Sequence, residues 1–228
     1  MPRETFDREL QRLQDELLVL GSMVERAIAE SVDALKRRDF EASRRIIAQD
    51  RDINAQRFAI ESDALALIAT QQPMASDLRA LAAILDLASE LERMGDYAKG
   101  IARINLMIGD QPLIKPLIDI PRMAERACSM LRRALDAFVH RDVALARAIP
   151  AEDDEVDALY NQVYRELVTY ILADPKNIDQ ANYLLWAAHN LERAADRVTN
   201  ICERVIFTVT GELGELNQEG NGIDDLPG

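Results

Sequence analysis

The chain has 228 residues, of which 48% are hydrophobic and only 5% aromatic, and its formal net charge is −13. This balance favours helix-on-helix packing over a β-sandwich, and it argues against direct binding of nucleic acid, whose phosphates require a basic surface. The sequence has neither the roughly 18 uninterrupted apolar residues of a membrane span nor the apolar segment of a signal peptide. We therefore expect a cytoplasmic protein that is not embedded in a membrane.

The first half of the chain contains three segments with helical periodicity. Apolar residues recur every three or four positions over 6–35, and the pattern is interrupted at Arg38-Asp39. A second segment covers 40–72 and ends before Pro73, because a proline disfavours helix in the residue that precedes it. A third segment covers about 74–107. These features predict three consecutive helices.

The second half repeats this organisation after a proline-rich stretch. Three prolines fall within 111–121, which predicts a linker. Helices are then predicted over 123–139, 142–173 and 177–210. The remainder, 211–228, contains several acidic residues and few apolar ones, so that we expect an acidic, largely disordered tail.

Several landmarks recur in the same order about 100 residues apart, which indicates internal duplication of a three-helix unit. The matched pairs are Arg38-Asp39 with Arg141-Asp142, Asp50 with Asp153, Pro73 with Pro175, and Leu91-Glu92-Arg93 with Leu191-Glu192-Arg193. We predict an all-α fold of two tandem antiparallel three-helix bundles. The first repeat covers 1–110 and the second covers 122–210, with the linker 111–121 between them.

Each half carries an acidic pair near the end of its last long helix. Glu92 and Asp96 are four residues apart, as are Glu192 and Asp196. This spacing places both carboxylates on one helix face, one turn apart. Two anions in that position repel each other unless a cation or a basic partner intervenes. The acidic pairs are therefore candidates for cation binding.

Further oxygen-bearing side chains are expected to face or extend these pairs. If the last two helices of each repeat are antiparallel, Asp153 and Asp157 face the second pair, and Asp50 and Asn54 face the first. Asn200 and Glu203 continue the row beyond Asp196. The predicted ligand set is therefore Asp50, Asn54, Glu92, Asp96, Asp153, Asp157, Glu192, Asp196, Asn200 and Glu203.

Carboxylate and amide oxygens favour hard cations such as Mg²⁺, Mn²⁺, Ca²⁺ or Fe³⁺ and argue against zinc and copper. The chain has only two histidines, too few for paired Glu-x-x-His di-iron sites. An alternative remains open, in which the acids form solvated faces or ion pairs with Arg93 and Arg193. No nucleophile–base motif and no glycine-rich phosphate loop is present, so catalysis is not expected.

The motifs resemble those of the PhoU family of bacterial phosphate-signalling regulators. The resemblance covers nearly everything except the tail. It is carried by Gln72-Pro73-Met74-Ala75-Ser76-Asp77-Leu78-Arg79, by Leu91-Glu92-Arg93-Met94-Gly95-Asp96, and by the segment from Leu191-Glu192-Arg193 to Asn200-Ile201-Cys202-Glu203. The duplicated six-helix layout is similar as well.

The resemblance implies a cytoplasmic negative regulator of the phosphate-starvation response. Such proteins connect the phosphate ABC transporter, through its ATPase subunit, to a sensor histidine kinase, and homodimers are expected. Metal, with Fe, Mn or Mg as candidates, is implied at the Glu-x-x-x-Asp motifs. The first copy departs from the pattern, since Gly100 stands where the second has Asn200, Arg103 where it has Glu203, and Asn54 where it has Asp157. We therefore expect the second site to be better built.

Two other functions are compatible with the sequence. One is a carboxylate-bridged metalloenzyme or a metal-storage helical bundle, which needs an open coordination position and, in most such sites, histidines. The other is a purely structural helical protein with solvated acids.

Overall fold

The computed structural model describes residues 3–212, 214 and 216. This part of the chain forms seven α-helices: α1 (Arg3–Arg37), α2 (Phe40–Gln71), α3 (Ala75–Ile108), α4 (Asp119–His140), α5 (Val143–Ala148), α6 (Asp153–Ala173) and α7 (Ile178–Thr210). Two short 3-10 turns, Pro150–Glu152 and Pro175–Asn177, precede α6 and α7. None of the described residues lies in a β-strand, and the all-α prediction is confirmed.

The single helix predicted over 142–173 is wrong, because the structure divides it into α5 and α6. Pro150 has no backbone N–H to donate and its ring crowds the preceding turn, so that it kinks or breaks an α-helix that contains it. The 3-10 turn at Pro150–Glu152 bridges the break. As a result, Asp153 lies in the first turn of α6 instead of the middle of a longer helix.

α4 also begins earlier than predicted. Its first residue is Asp119, inside the segment 111–121 that the prolines predict as a linker. Pro121 is in the first turn of α4, where the backbone N–H groups have no intrahelical partner and a missing one costs little.

The turns after the first helix of each half have the same geometry. Arg38 and Arg141 have φ of 59° and 54°, in the left-handed region. The aspartate that follows each of them caps the next helix. Asp39 accepts a hydrogen bond of 2.8 Å and Asp142 one of 2.9 Å, each from the backbone N–H three residues further on. Such caps stabilise a helix start by about 1 kcal/mol, and their recurrence supports the duplication.

Helices α1–α3 pack together as the first bundle, and α4, α6 and α7 form the second. The bundles are joined by contacts of α3 with α7 and of α1 with α4, and one continuous apolar core runs through both. α3 and α7 are antiparallel. Asp86 pairs with Arg204 at 3.1 Å, whereas the Arg193 guanidinium lies 5.0 Å from the Tyr97 ring centroid. Both acidic motifs therefore lie near the middle of this central helix pair.

The segment predicted as an acidic tail begins with a contact to the second bundle. The backbone N–H of Leu216 donates to Glu203 at 2.9 Å, and its side chain packs partly buried against the core. Residues 213, 215 and 217–228, on which most of the disorder prediction falls, lie outside the described residues. Within the described part, no helix combines the length and apolarity required to cross a membrane.

Candidate metal centre

The second half brings four carboxylates together between α6 and α7. Asp153 and Asp157 lie one turn apart on α6, and Glu192 and Asp196 lie one turn apart on α7. The reversal of the chain at Pro175–Asn177 makes the two helices antiparallel neighbours. Asp153 is 9% exposed, and its buried Oδ1 atom has no hydrogen-bond partner. A carboxylate oxygen in that position is available to a ligand.

The charges of these four residues act on one another. Burial raises the pKa of Asp153 to about 7, and repulsion from Asp196, Asp157 and Glu192 adds to the effect. Burial, followed by Asp196, also raises the pKa values of Asp157 and Glu192. Repulsion of this kind requires proximity, since the interaction of exposed charges weakens quickly with distance. We refer to Asp153, Asp157, Glu192 and Asp196 as the second-half cluster.

A histidine and a tyrosine border the second-half cluster. His189 Nδ1 lies 3.0 Å from Glu192 Oε2, and this contact opposes the rise in the pKa of Glu192. The ring centroid of Tyr160 is 6.1 Å from that of His189. Burial and the nearby Glu192 raise the pKa of Tyr160. The side chain of His189 is half exposed. It therefore neutralises part of the charge of Glu192 but does not complete an enclosed set of metal ligands.

The side chains do not form a ready coordination sphere. Among residues 3–212, 214 and 216, no three His, Cys, Asp or Glu side chains lie close enough to hold a metal ion. Asp157 is exposed and Asp196 is half-buried, so both have room to rotate. The second-half cluster is thus a concentration of negative charge beside the buried, unpartnered Oδ1 of Asp153.

The first half has the corresponding positions but a different charge balance. Asp50 is buried, and its Oδ2 accepts hydrogen bonds from Lys99 Nζ at 2.6 Å and from Asn54 Nδ2 at 3.3 Å. Lys99 Nζ also contacts Asp96 Oδ1 at 3.2 Å. Burial and Asp96 raise the pKa of Glu92, whereas Arg57 lowers it. We refer to Asp50, Asn54, Glu92 and Asp96 as the first-half cluster.

Sequence reasoning missed Lys99, although a signal was present. The offset of 100 residues that relates the two motifs places Lys99 opposite Thr199. A comparison of the halves position by position, instead of a search for acids alone, identifies this difference in charge.

Asn200 and Glu203, predicted as further ligands, are engaged elsewhere. Asn200 Nδ2 donates to Glu90 Oε2 of α3 at 3.2 Å, and Glu203 Oε1 accepts from the backbone of Leu216. The prediction followed one stripe along α7, but α3 crosses α7 at this height, so that Asn200 meets α3 instead of α6. The structure therefore does not bring these two residues into the second-half cluster.

Close helix packing brings the acids of the first half together. A Cβ atom at Gly95 of α3 would lie 3.2 Å from two side-chain atoms of Ile53 of α2. The corresponding positions in the second half carry Ala195 and Val156, a larger residue on one helix and a smaller one on the other. The exchange preserves volume between the two helices, which a close-packed interior requires.

A comparison with protein families matches the PhoU domain model twice, over residues 17–104 and 120–205. The two segments lie in the two halves and together span more than half of the chain. The chain belongs to the PhoU family.

Individual relatives of known name and structure support this membership. The phosphate-specific transport system accessory protein PhoU homolog of Caulobacter vibrioides is 36% identical over 224 residues, which are 98% of this chain and 96% of that protein. The protein of the same name from Clostridium acetobutylicum is 34% identical over 218 residues, 95% of this chain and 100% of that protein.

Two crystal structures have the same fold. The phosphate transport system regulatory protein PhoU from Streptococcus pneumoniae superposes with a TM-score of 0.85 at 34% identity, covering 92% of this chain and 99% of that one. PhoU from Pseudomonas aeruginosa also has a TM-score of 0.85, at 33% identity, with coverage of 91% and 100%. The PhoU-like fold of two three-helix repeats is thus confirmed.

Proposed function

We propose that this protein is a non-catalytic, cytoplasmic negative regulator of the phosphate-starvation response that links the phosphate ABC transporter to a sensor histidine kinase. The observation that carries the proposal is the end-to-end match to relatives named phosphate-specific transport system accessory proteins. The match covers 98% of this chain and 96% of the Caulobacter vibrioides protein. The general role in the phosphate system rests on this match, and the kinase link is our extension of it.

The surface chemistry suits an adaptor. The chain carries a net charge of −13, which favours association with basic protein surfaces through long-range attraction. We propose that it acts as a homodimer and that its partners are the ATPase subunit of the transporter and the kinase.

Deletion of the gene is expected to switch on a phosphate-starvation reporter in cells grown with abundant phosphate. A plasmid copy should restore repression, because the protein acts as a diffusible regulator. The control is a strain that also lacks the kinase, in which the reporter should stay off. A reporter that remains repressed after deletion of this gene alone contradicts the proposed role.

We further propose that the second-half cluster binds a hard cation, with Mn²⁺, Mg²⁺ or iron as candidates. Three features support it: the unpartnered buried oxygen of Asp153, the mutual repulsion of the four carboxylates, and a donor set of oxygens alone. A bound cation would relieve that repulsion and hold α6 against α7. Because no three donors meet as they stand, binding requires rotation of Asp157 and Asp196 toward Asp153.

Addition of Mn²⁺ to metal-free protein is expected to raise Tm, since a ligand that binds the folded state alone stabilises it. Asp196→Asn should remove most of this rise. Asp154→Asn, at an exposed neighbour of the cluster on α6, is the matched control and should retain it. An equal rise in Tm for the wild type and Asp196→Asn, measured by differential scanning calorimetry, rules out the site.

A further inference from the structure

The two acidic clusters differ in the positively charged side chains that lie beside them. In the first half, Lys99 Nζ lies 2.6 Å from Asp50 Oδ2 and 3.2 Å from Asp96 Oδ1. The Lys99 side chain is 21% exposed and that of Asp50 is 9% exposed, so that the contact is shielded from water. The ammonium therefore bridges α2 and α3 at the place where a metal would have to bind.

A second cation acts on the first-half cluster. Arg57 lowers the pKa of Glu92, and its guanidinium pairs with Glu61 at 2.8 Å. The 103-residue offset that relates Asp50 to Asp153 places Arg57 opposite Tyr160. The first half thus combines three carboxylates with two cations, whereas the residues at the matching positions of the second half are uncharged.

Thr199 occupies the position that corresponds to Lys99. It is 1% exposed, and its Oγ1 has no hydrogen-bond partner. The residues that add to the burial effect on Asp153 are all carboxylates. The second-half cluster therefore has no counterpart of the Lys99 ammonium. Oδ1 has no hydrogen-bond partner in Asp50 or in Asp153, and what distinguishes the first half is that Oδ2 of Asp50 accepts a hydrogen bond from Lys99.

A lysine in this position excludes a metal for two reasons. Its ammonium group donates hydrogen bonds to the carboxylate oxygens that a cation would use, and its charge repels a divalent ion at short range with little screening. A metal can enter only if Lys99 withdraws or loses its proton. The hydrogen bonds that Lys99 donates to Asp50 and Asp96 raise the pKa of Lys99, which opposes proton loss.

We propose that Lys99 is a built-in counter-ion that closes the first-half cluster, so that each chain binds a hard cation at the second-half cluster alone. The statement that a cation binds at the second-half cluster rests on the metal binding proposed above. The role of Lys99 in the first half depends on contacts within the chain.

The test is Mn²⁺ titration of metal-free full-length protein by isothermal calorimetry, with bound metal counted after dialysis. Lys99→Thr introduces the residue of the second half and is expected to about double the Mn²⁺ bound per chain, because it frees the oxygens of Asp50 and Asp96. Lys99→Arg retains the charge and should leave the stoichiometry at the wild-type value. Lys99→Met removes both the charge and the hydrogen bonds, and it replaces Lys99→Thr if the latter does not fold.

Two further variants test the proposal in a chain that retains Lys99. Asp96→Asn should leave the wild-type Mn²⁺ stoichiometry unchanged, and Asp196→Asn should abolish it. A loss of metal in Asp96→Asn overturns the proposal. So does an unchanged stoichiometry in a folded Lys99→Thr or Lys99→Met variant.

The two proposals can fail separately. If the wild type binds no Mn²⁺ but Lys99→Thr gains one site, the proposed metal site in the second half fails and the role of Lys99 stands. If the wild type binds Mn²⁺ through Asp196 and Lys99→Thr gains nothing, the metal site stands and the role of Lys99 fails.

Discussion

Asp153→Asn is expected to raise the free energy of unfolding of the metal-free protein by about 2 kcal/mol at pH 8 and to change it little near pH 4. The cause is the carboxylate of Asp153, which folding removes from water and places beside other anions. Its pKa rises from an ordinary value of 3.8 to about 7 in the folded chain. An asparagine of the same shape carries no charge and escapes this cost.

The direction of the pH effect follows from proton binding. Between pH 4 and pH 7 the folded protein holds a proton on Asp153 that the unfolded chain has released, so stability falls as pH rises through this window. Above pH 7 both states are ionised and the penalty is complete. The groups that face Asp153 are Asp157 and Asp154 on α6 and Asp196 and Glu192 on α7, and all of them act in the same direction. The expected effect is smaller than the full shift implies, because a buried amide also loses hydration.

Urea unfolding of both proteins at pH 4, 6 and 8, with chelator present, measures the effect. Asp154→Asn is the control, since its exposed side chain should change stability by less than about 0.5 kcal/mol. Added Mn²⁺ should reverse the order and make the wild type the more stable protein, because only the wild type retains the full ligand set. A constant difference between wild type and Asp153→Asn across pH contradicts the assignment of the penalty to ionisation.

The helices and their duplication were predictable because local rules determine them. Apolar spacing identifies α1–α4 and α7, and the Arg-Asp pairs mark turns whose left-handed arginine and capping aspartate recur in both halves. Asp153, Asp157, Glu192 and Asp196 were also predictable as one cluster. Their spacing on each helix and their distance from the Pro175 turn depend only on helix geometry.

The prediction for Asn200 did not anticipate the place where three helices meet. Periodicity places Asn200 on the stripe that contains Asp196, but it carries no information on where α3 crosses α7, and Asn200 bonds to Glu90 there. The break at Pro150 was visible in the sequence, but the regular pattern on either side obscured it.

Because the two halves are repeats of one three-helix unit, the two clusters can differ in charge without a change of fold. Both acidic motifs keep their place on the central helices, while the positions around them vary independently. Lys99 and Arg57 in one half correspond to Thr199 and Tyr160 in the other. A few substitutions at the edge of a site therefore change its charge balance, while the core positions that hold the helices together are maintained.

The same divergence produced a buried polar network in the first half. Asn105 of α3 is fully buried, and its amide donates to Ser43 Oγ at 2.8 Å and to the backbone oxygen of Ala34 at 3.1 Å. Its Oδ1 accepts from Arg38, which also donates to the backbone oxygen of Gly109. The network ties the turn between α1 and α2 to the end of α3.

Asn105→Leu is expected to lower the free energy of unfolding by about 3 kcal/mol, since it leaves the partly buried Arg38 guanidinium without its side-chain partner. Burial already lowers the pKa of Arg38, so that its charge is costly in this place. Urea unfolding measures the loss, and Asn161→Leu at an exposed position of α6 is the matched control.

The double variant Arg38→Met/Asn105→Leu should recover part of the loss, because removing both partners of a buried polar pair costs less than removing one. A loss below about 1 kcal/mol in Asn105→Leu would mean that water replaces the network at little cost. The turn between α1 and α2 would then be held by the Asp39 cap and the apolar core alone.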